Sequence, residues 1–199
     1  MEKKGSPGEL IPGRSGQEKV SMGNGIVILT IGHSTRPIQE FVALLLYHGV
    51  TSLVDVRTVP RSRHNPQFNR DTLPELLSAA GIRYTHMPGL GGLRHPRGDS
   101  PNAGWRNSSF RGFADYMQTT EFAGSMESLT VLGKGERIAV MCAEALPWRC
   151  HRSLIADALL ARGLRVAHIL GKTAPIPHEL TAFARVKGGL VVYPGENSL

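Results

Sequence analysis

Ile26-Val27-Ile28-Leu29-Thr30-Ile31-Gly32-His33-Ser34-Thr35-Arg36-Pro37 is the stretch on which the fold is decided. An unbroken apolar run rich in β-branched residues suits a strand buried on both faces. Gly32 to Pro37 then reads as a tight turn into a helix, with Ser34 or Thr35 as N-cap and Pro37 in the first turn. Ile38, Phe41, Val42, Leu45 and Leu46 recur at helical spacing, and Gly49 supplies a left-handed stop. Ser52-Leu53-Val54-Asp55-Val56-Arg57 is a second buried strand. Strand, helix and strand joined by such short connections form a βαβ unit, which leaves little choice but a parallel sheet.

Outward from this unit the pattern repeats. Asp71 is expected to cap a helix over 73–80, and residues 82–86 read as a third strand. A long Gly/Pro/Arg/Asn loop over 88–108 leads to helices near 110–118 and 121–132. A strand over 137–142, a helix over 152–162 stopped by Gly163, and a strand over 165–169 follow, with a last short strand near 190–193. Such alternation specifies an α/β domain, doubly wound, with a mostly parallel sheet of five or six strands flanked by helices. Residues 1–24 are polar and without periodicity, so they read as a disordered N-terminal tail ahead of a single domain over 25–199.

Composition narrows the classes. No apolar run approaches the length of a membrane span, and the first twenty residues lack the apolar core of a secretory signal. Two cysteines in 199 residues make no disulfide framework. The expectation is a cytoplasmic protein with reduced thiols and no membrane partner. The net charge is +7, and residues 57–111 hold nine Arg, no Lys and three acids, which accounts for +6 of it. Guanidinium forks suit phosphate or carboxylate. Aromatic content of 6% speaks against an exposed stacking platform for single-stranded nucleic acid.

In an open parallel sheet, ligands bind beyond the carboxyl ends of the strands. The residues there are Gly32-His33-Ser34, Asp55-Val56-Arg57, His86-Met87-Pro88 and Cys142-Ala143-Glu144, and the long loops 57–71 and 88–108 leave from the same edge. His33 and Asp55 are candidates for proton transfer, and Asp55 with Arg57 equally reads as a structural pair. Cys142 followed by Arg149 and a helix resembles a thiol–oxyanion cradle, although six residues separate them where the phosphatase spacing has five. Glu144 is a candidate acid or base, and Arg149, His151 and Arg152 are candidates for holding an anion at a helix N-terminus. Cys142, Cys150 and His151 lack paired zinc-ligand spacing, so no metal is expected. Gly89-Leu90-Gly91-Gly92 opens no helix and is not a dinucleotide fingerprint, so no cofactor is expected either. Trp105 reads as a base-stacking residue or as a lid over the core.

Thr30-Ile31-Gly32-His33-Ser34, Asp55-Val56-Arg57 with Pro60, Ser62, Arg63 and Phe68, Gly89-Leu90-Gly91-Gly92, and Cys142-Ala143-Glu144 followed by Cys150-His151-Arg152 together resemble one family, the domain of unknown function 488. The resemblance implies a Rossmann-like fold and supplies no reaction. The functional expectation is an enzyme binding a phosphorylated or nucleotide-like anionic substrate. Arg57, Arg63, Arg149, His151 and Arg152 would hold the anion, Glu144, Asp55 or His33 would handle protons, and Cys142 would be a nucleophile. Two alternatives stand: a non-catalytic nucleic-acid-binding module using the Arg-rich loops 57–71 and 88–111, and a metal-dependent hydrolase built on Cys142, His151 and a rim histidine.

Overall fold

A computed structural model describes residues 27–195, so the tail expected over 1–24 lies outside the described residues. Five parallel strands form the sheet: β1 (Val27–Gly32), β2 (Ser52–Asp55), β3 (Arg83–His86), β4 (Ile138–Cys142) and β5 (Arg165–Ile169). A short β6 (Ile176–Pro177) adds antiparallel to β5, giving the order β3-β2-β4-β1-β5-β6. This is the Rossmann-like α/β arrangement the alternating pattern specifies, with six strands and one of them antiparallel.

Strand side chains alternate between two cores. Leu29, Ile31, Leu53, Ala139 and Met141 face α1 (Ile38–Tyr47) and α2 (Leu73–Ala79). Ile28, Val54, Val140 and Val166 face α3 (Ser108–Tyr116), α4 (Thr120–Gly135) and α5 (Arg152–Leu160). Strands covered on both sides carry no polar face, which is why β1 and β4 read as continuous apolar runs.

Connectivity places the crevice. From β1 the chain crosses by α1 over β4 to reach β2, whereas from β4 it crosses by α5 over β1 to reach β5. The two central strands therefore send their connections in opposite directions, and a cleft opens beyond their carboxyl ends. The pairing Gly32↔Cys142 sets the register there, and it continues past the strands as His33 N–H to Cys142 O at 3.0 Å and Ser34 N–H to Ala143 O at 2.9 Å. Gly32 is required by this approach, because a Cβ at that position would run into the Glu144 carbonyl.

Two local expectations are corrected. Neither Ser34 nor Thr35 caps α1; Pro37 occupies the N-cap position, and Ser34 takes a positive φ of 51° so that its amide can reach Ala143. Asp71 does not cap α2; it accepts from the Thr72 hydroxyl beside it, and Thr72 stands at the cap with no side-chain bond to the helix. The strand expected near 190–193 is present as β8 (Leu190–Val192), and it pairs antiparallel with β7 (Arg185–Lys187) in a separate two-stranded sheet. Gly49 and Gly163 end their helices at φ values of 66° and 79°, as read. Among the described residues no helix is long and apolar enough to cross a membrane.

Candidate active site

Asp55 and Arg57 stand two residues apart at the end of β2, close enough to form a chelate. Asp55, with no exposed surface, accepts from Arg57 Nε at 2.9 Å, Arg57 Nη2 at 2.6 Å, the Arg57 amide at 3.0 Å and the Tyr84 hydroxyl at 2.8 Å. Arg57 Nη2 also donates to the Phe68 carbonyl at 2.6 Å, which anchors the 57–71 loop. His33, buried and stacked on Phe68 at 4.2 Å, completes the layer. Its Nδ1–H donates to the Ser34 carbonyl at 2.7 Å, which leaves the Nε2 lone pair to accept from Arg57 Nη1 at 3.2 Å. Burial, helped by the Arg57 charge, outweighs the carbonyl and pulls the His33 pKa down to about 4. His33 is therefore neutral at pH 7, with both ring nitrogens engaged.

Arg152, likewise without exposed surface, is held quite differently. Its Nη1 donates to the Ile31 carbonyl at 2.7 Å, to Cys142 Sγ at 2.8 Å and to the Glu144 carbonyl at 3.1 Å, and its Nη2 donates to the Ala145 carbonyl at 3.1 Å. Among the described residues no carboxylate lies within 4 Å of it, and its Nε finds no acceptor. The chain makes this possible by reversing after β4: a 3₁₀ turn at Pro147–Arg149 returns Cys150 to the strand end, where its Sγ lies 2.7 Å from Cys142 Sγ. Burial works to raise the Cys142 thiol, but the Cys150 hydrogen bond and the Arg152 charge outweigh it and hold Cys142 below its ordinary value. The same hydrogen bond, together with burial, pushes Cys150 up. Of the two thiols Cys142 is therefore the more acidic, and Cys150 the one that holds its proton more tightly.

Two cavities open over these groups. One of about 360 Å³ reaches both thiols and is walled by Val59, Leu93 and Phe110, with Arg149 and Glu144 beside them. The other, of about 390 Å³, is polar and presents Ser34, Thr35, Arg61, Ser62 and Asn65. Arg57, Val59, Ala143 and Glu144 line both, so they form two lobes of one crevice at the β1–β4 switch point.

Six of the nine residues expected from the sequence line the crevice, and Asp55, Arg152 and Arg63 do not. Glu144, exposed, borders both lobes; Cys142 and Arg149 border the apolar one and His33 the polar one. His151 borders the apolar lobe beneath Gly92, and burial takes its pKa down to about 4, so it brings no charge at pH 7. Asp55 and Arg152 lie beneath the floor and spend their hydrogen bonds within the fold. Arg63 is exposed and borders neither lobe. Trp105 packs on Phe110, Phe183 and Tyr193 as a lid over the core. Among the described residues no three His, Cys, Asp or Glu side chains gather as metal ligands, so Cys142, His151 and a rim histidine do not assemble the donor set a hydrolytic metal would need.

Sequence reasoning missed Cys150 as the partner of Cys142, along with Tyr84, Phe110 and Arg61. Tyr84 lies on the same strand end as His86, and its phenol on Asp55 had no linear signal. Cys150 did have one, since Pro147 after an apolar strand marks a turn able to return a residue eight positions on.

No curated protein and no solved structure matches the chain. One family model matches residues 37–159, a span holding every site residue expected from the sequence except His33. That span is more than half of the chain, and the protein belongs to the family described as Domain of unknown function DUF488.

Proposed function

We propose that the protein is a thiol-dependent enzyme whose nucleophile is the Cys142 thiolate, acting on a small substrate that carries a negative charge. The single observation behind this reading is Arg152. A guanidinium keeps its charge, and burying one without a counter-charge is costly. Here the group facing it that can become an anion is the Cys142 sulfur, 2.8 Å away. The substrate's electrophilic centre would enter the apolar lobe between Val59, Leu93 and Phe110. Its charged part would meet Arg149 at that mouth, or Arg61 with Ser34 and Thr35 in the polar lobe. Glu144, the one carboxylate among the residues lining either lobe, would exchange the proton. Asp55 and His33 act as positioning residues, because their hydrogen bonds are committed within the fold, to Arg57, Tyr84 and the Ser34 carbonyl.

The test is the rate of carbamidomethylation of Cys142 by iodoacetamide across pH, read by peptide mass spectrometry on the full chain. The expected midpoint lies below the free-thiol value of about 8.5. A midpoint at or above that value, or labelling only after unfolding, overturns the reading.

A second reading draws on Arg61, Arg63 and Arg70, exposed on the 57–71 loop with no carboxylate within 4 Å among the described residues. These would grip nucleic-acid backbone without catalysis. Affinity for a duplex oligonucleotide would then fall by about 0.9 log unit per log unit of salt for each phosphate neutralised. Binding indifferent to salt removes this reading.

A further inference from the structure

We infer that Cys142 and Cys150 are a peroxide-reducing pair, with Cys142 attacking an organic hydroperoxide in the apolar lobe and Cys150 resolving the product as an intramolecular disulfide. This rests on the thiolate reading above and gives it a substrate class.

Three observations carry it. First, the two sulfurs are 2.7 Å apart, so closing a disulfide of about 2.05 Å needs a shift of well under an ångström. Second, the thiols are 2% and 7% exposed at the floor of a cavity of about 360 Å³. Neither another protein's disulfide nor a bulky acyl donor reaches a sulfur so placed, whereas the outer oxygen of a hydroperoxide does. Third, the walls above the sulfurs are Val59, Leu93 and Phe110, which suit an apolar alkyl or aryl group.

The chemistry balances with two thiols and one hydroperoxide. The Cys142 thiolate attacks the outer oxygen, the O–O bond breaks, and the alkoxide leaves and takes a proton from solvent, giving a sulfenic acid on Cys142. The Cys150 sulfur then attacks the Cys142 sulfur, the S–O bond breaks, and the departing hydroxide takes the Cys150 proton and leaves as water. Two electrons have passed from the sulfur pair to the peroxide. An external low-molecular-weight thiol, by two exchange steps, restores the pair and becomes the oxidised product. Arg152 biases this cycle. In the reduced state it faces a thiolate, and in the disulfide it faces no anion, so the reduced state is favoured and the disulfide is readily reduced.

The test treats the reduced full chain with one equivalent of cumene hydroperoxide, or of hydrogen peroxide, and follows intact mass and free thiols. The expected result is loss of two hydrogens and of both thiols in a monomeric product, faster with cumene hydroperoxide, reversed by dithiothreitol. Cys150→Ser should instead stop at a dimedone-trappable sulfenic acid on Cys142, and Cys142→Ser should give neither product. Wild-type protein that goes directly to the sulfinic acid, or forms only intermolecular disulfides, overturns the pairing. Reaction as fast with hydrogen peroxide as with cumene hydroperoxide overturns the substrate class. If peroxide leaves the protein unchanged while iodoacetamide still labels Cys142 at low pH, this inference falls and the nucleophile reading stands. Failure of both reagents removes both.

Discussion

Arg57 and Arg152 are buried at the same sheet edge, yet Arg57 pairs with a carboxylate two residues away whereas Arg152 donates to carbonyls and a sulfur. That difference underlies the roles proposed for them, Arg57 as a positioning residue and Arg152 as the partner of the Cys142 sulfur. Tyr84→Phe should remove one donor from Asp55 and cost about 1 kcal/mol in urea unfolding, leaving the fold intact. Glu144 faces Cys142 as a like charge that works against the thiolate. Glu144→Gln should therefore move the alkylation midpoint of Cys142 down, and, being an exposed substitution, leave stability within about 0.5 kcal/mol. An upward move would show that Glu144 assists the thiolate instead. His33 and His151 are held near 4 mainly by burial, against 6.5 in an unfolded chain. Between these values the unfolded chain binds protons that the native one does not, so stability is full above pH 6.5 and falls as pH drops toward 4. Each contributes about 3 kcal/mol to that fall, measurable as declining urea midpoints at successively lower pH.

At the scale of elements, the site depends on where chain segments end. Asn107 caps α3 by accepting from the Ser109 and Phe110 amides, and α3 carries Phe110 to the apolar lobe and Phe113 against His151. Asn107→Ala should cost about 1 kcal/mol by thermal unfolding. Gly32→Ala is more severe, because the neighbour it would strike is the Glu144 backbone, which is itself held by Arg152. A loss of about 3 kcal/mol is expected, together with slower alkylation of Cys142. The repeated strand–helix alternation was legible because short continuous apolar runs alternate along the chain with segments of helical apolar spacing. The N-caps of α1 and α2 were not, since Ser34 and Asp71 are good cap residues whose surroundings gave them other partners.

At the scale of the whole molecule, a polar chain ties the C-terminal segment to the sheet. Thr30 donates to His168 Nδ1 at 2.7 Å, His168 Nε2 to His178 Nδ1 at 3.0 Å, and His178 Nε2 to Asp157 at 2.9 Å. Asp157 also accepts from the Thr181 amide and hydroxyl and the Tyr193 hydroxyl. Asp157→Ala should free the segment beyond β5 and make it the first site of limited proteolysis, with Cys142 still reactive. Apolar periodicity, glycine stops and the order of strands and helices are properties of the linear chain, and by themselves they determined an α/β sheet with its reactive groups along one edge. Which of those groups is charged, and what answers the charge, was decided only when residues as distant as Ile31 and Arg152 met. A charge is neutralised by whatever lies within a few ångströms once water is gone, and spacing along the chain does not record that distance.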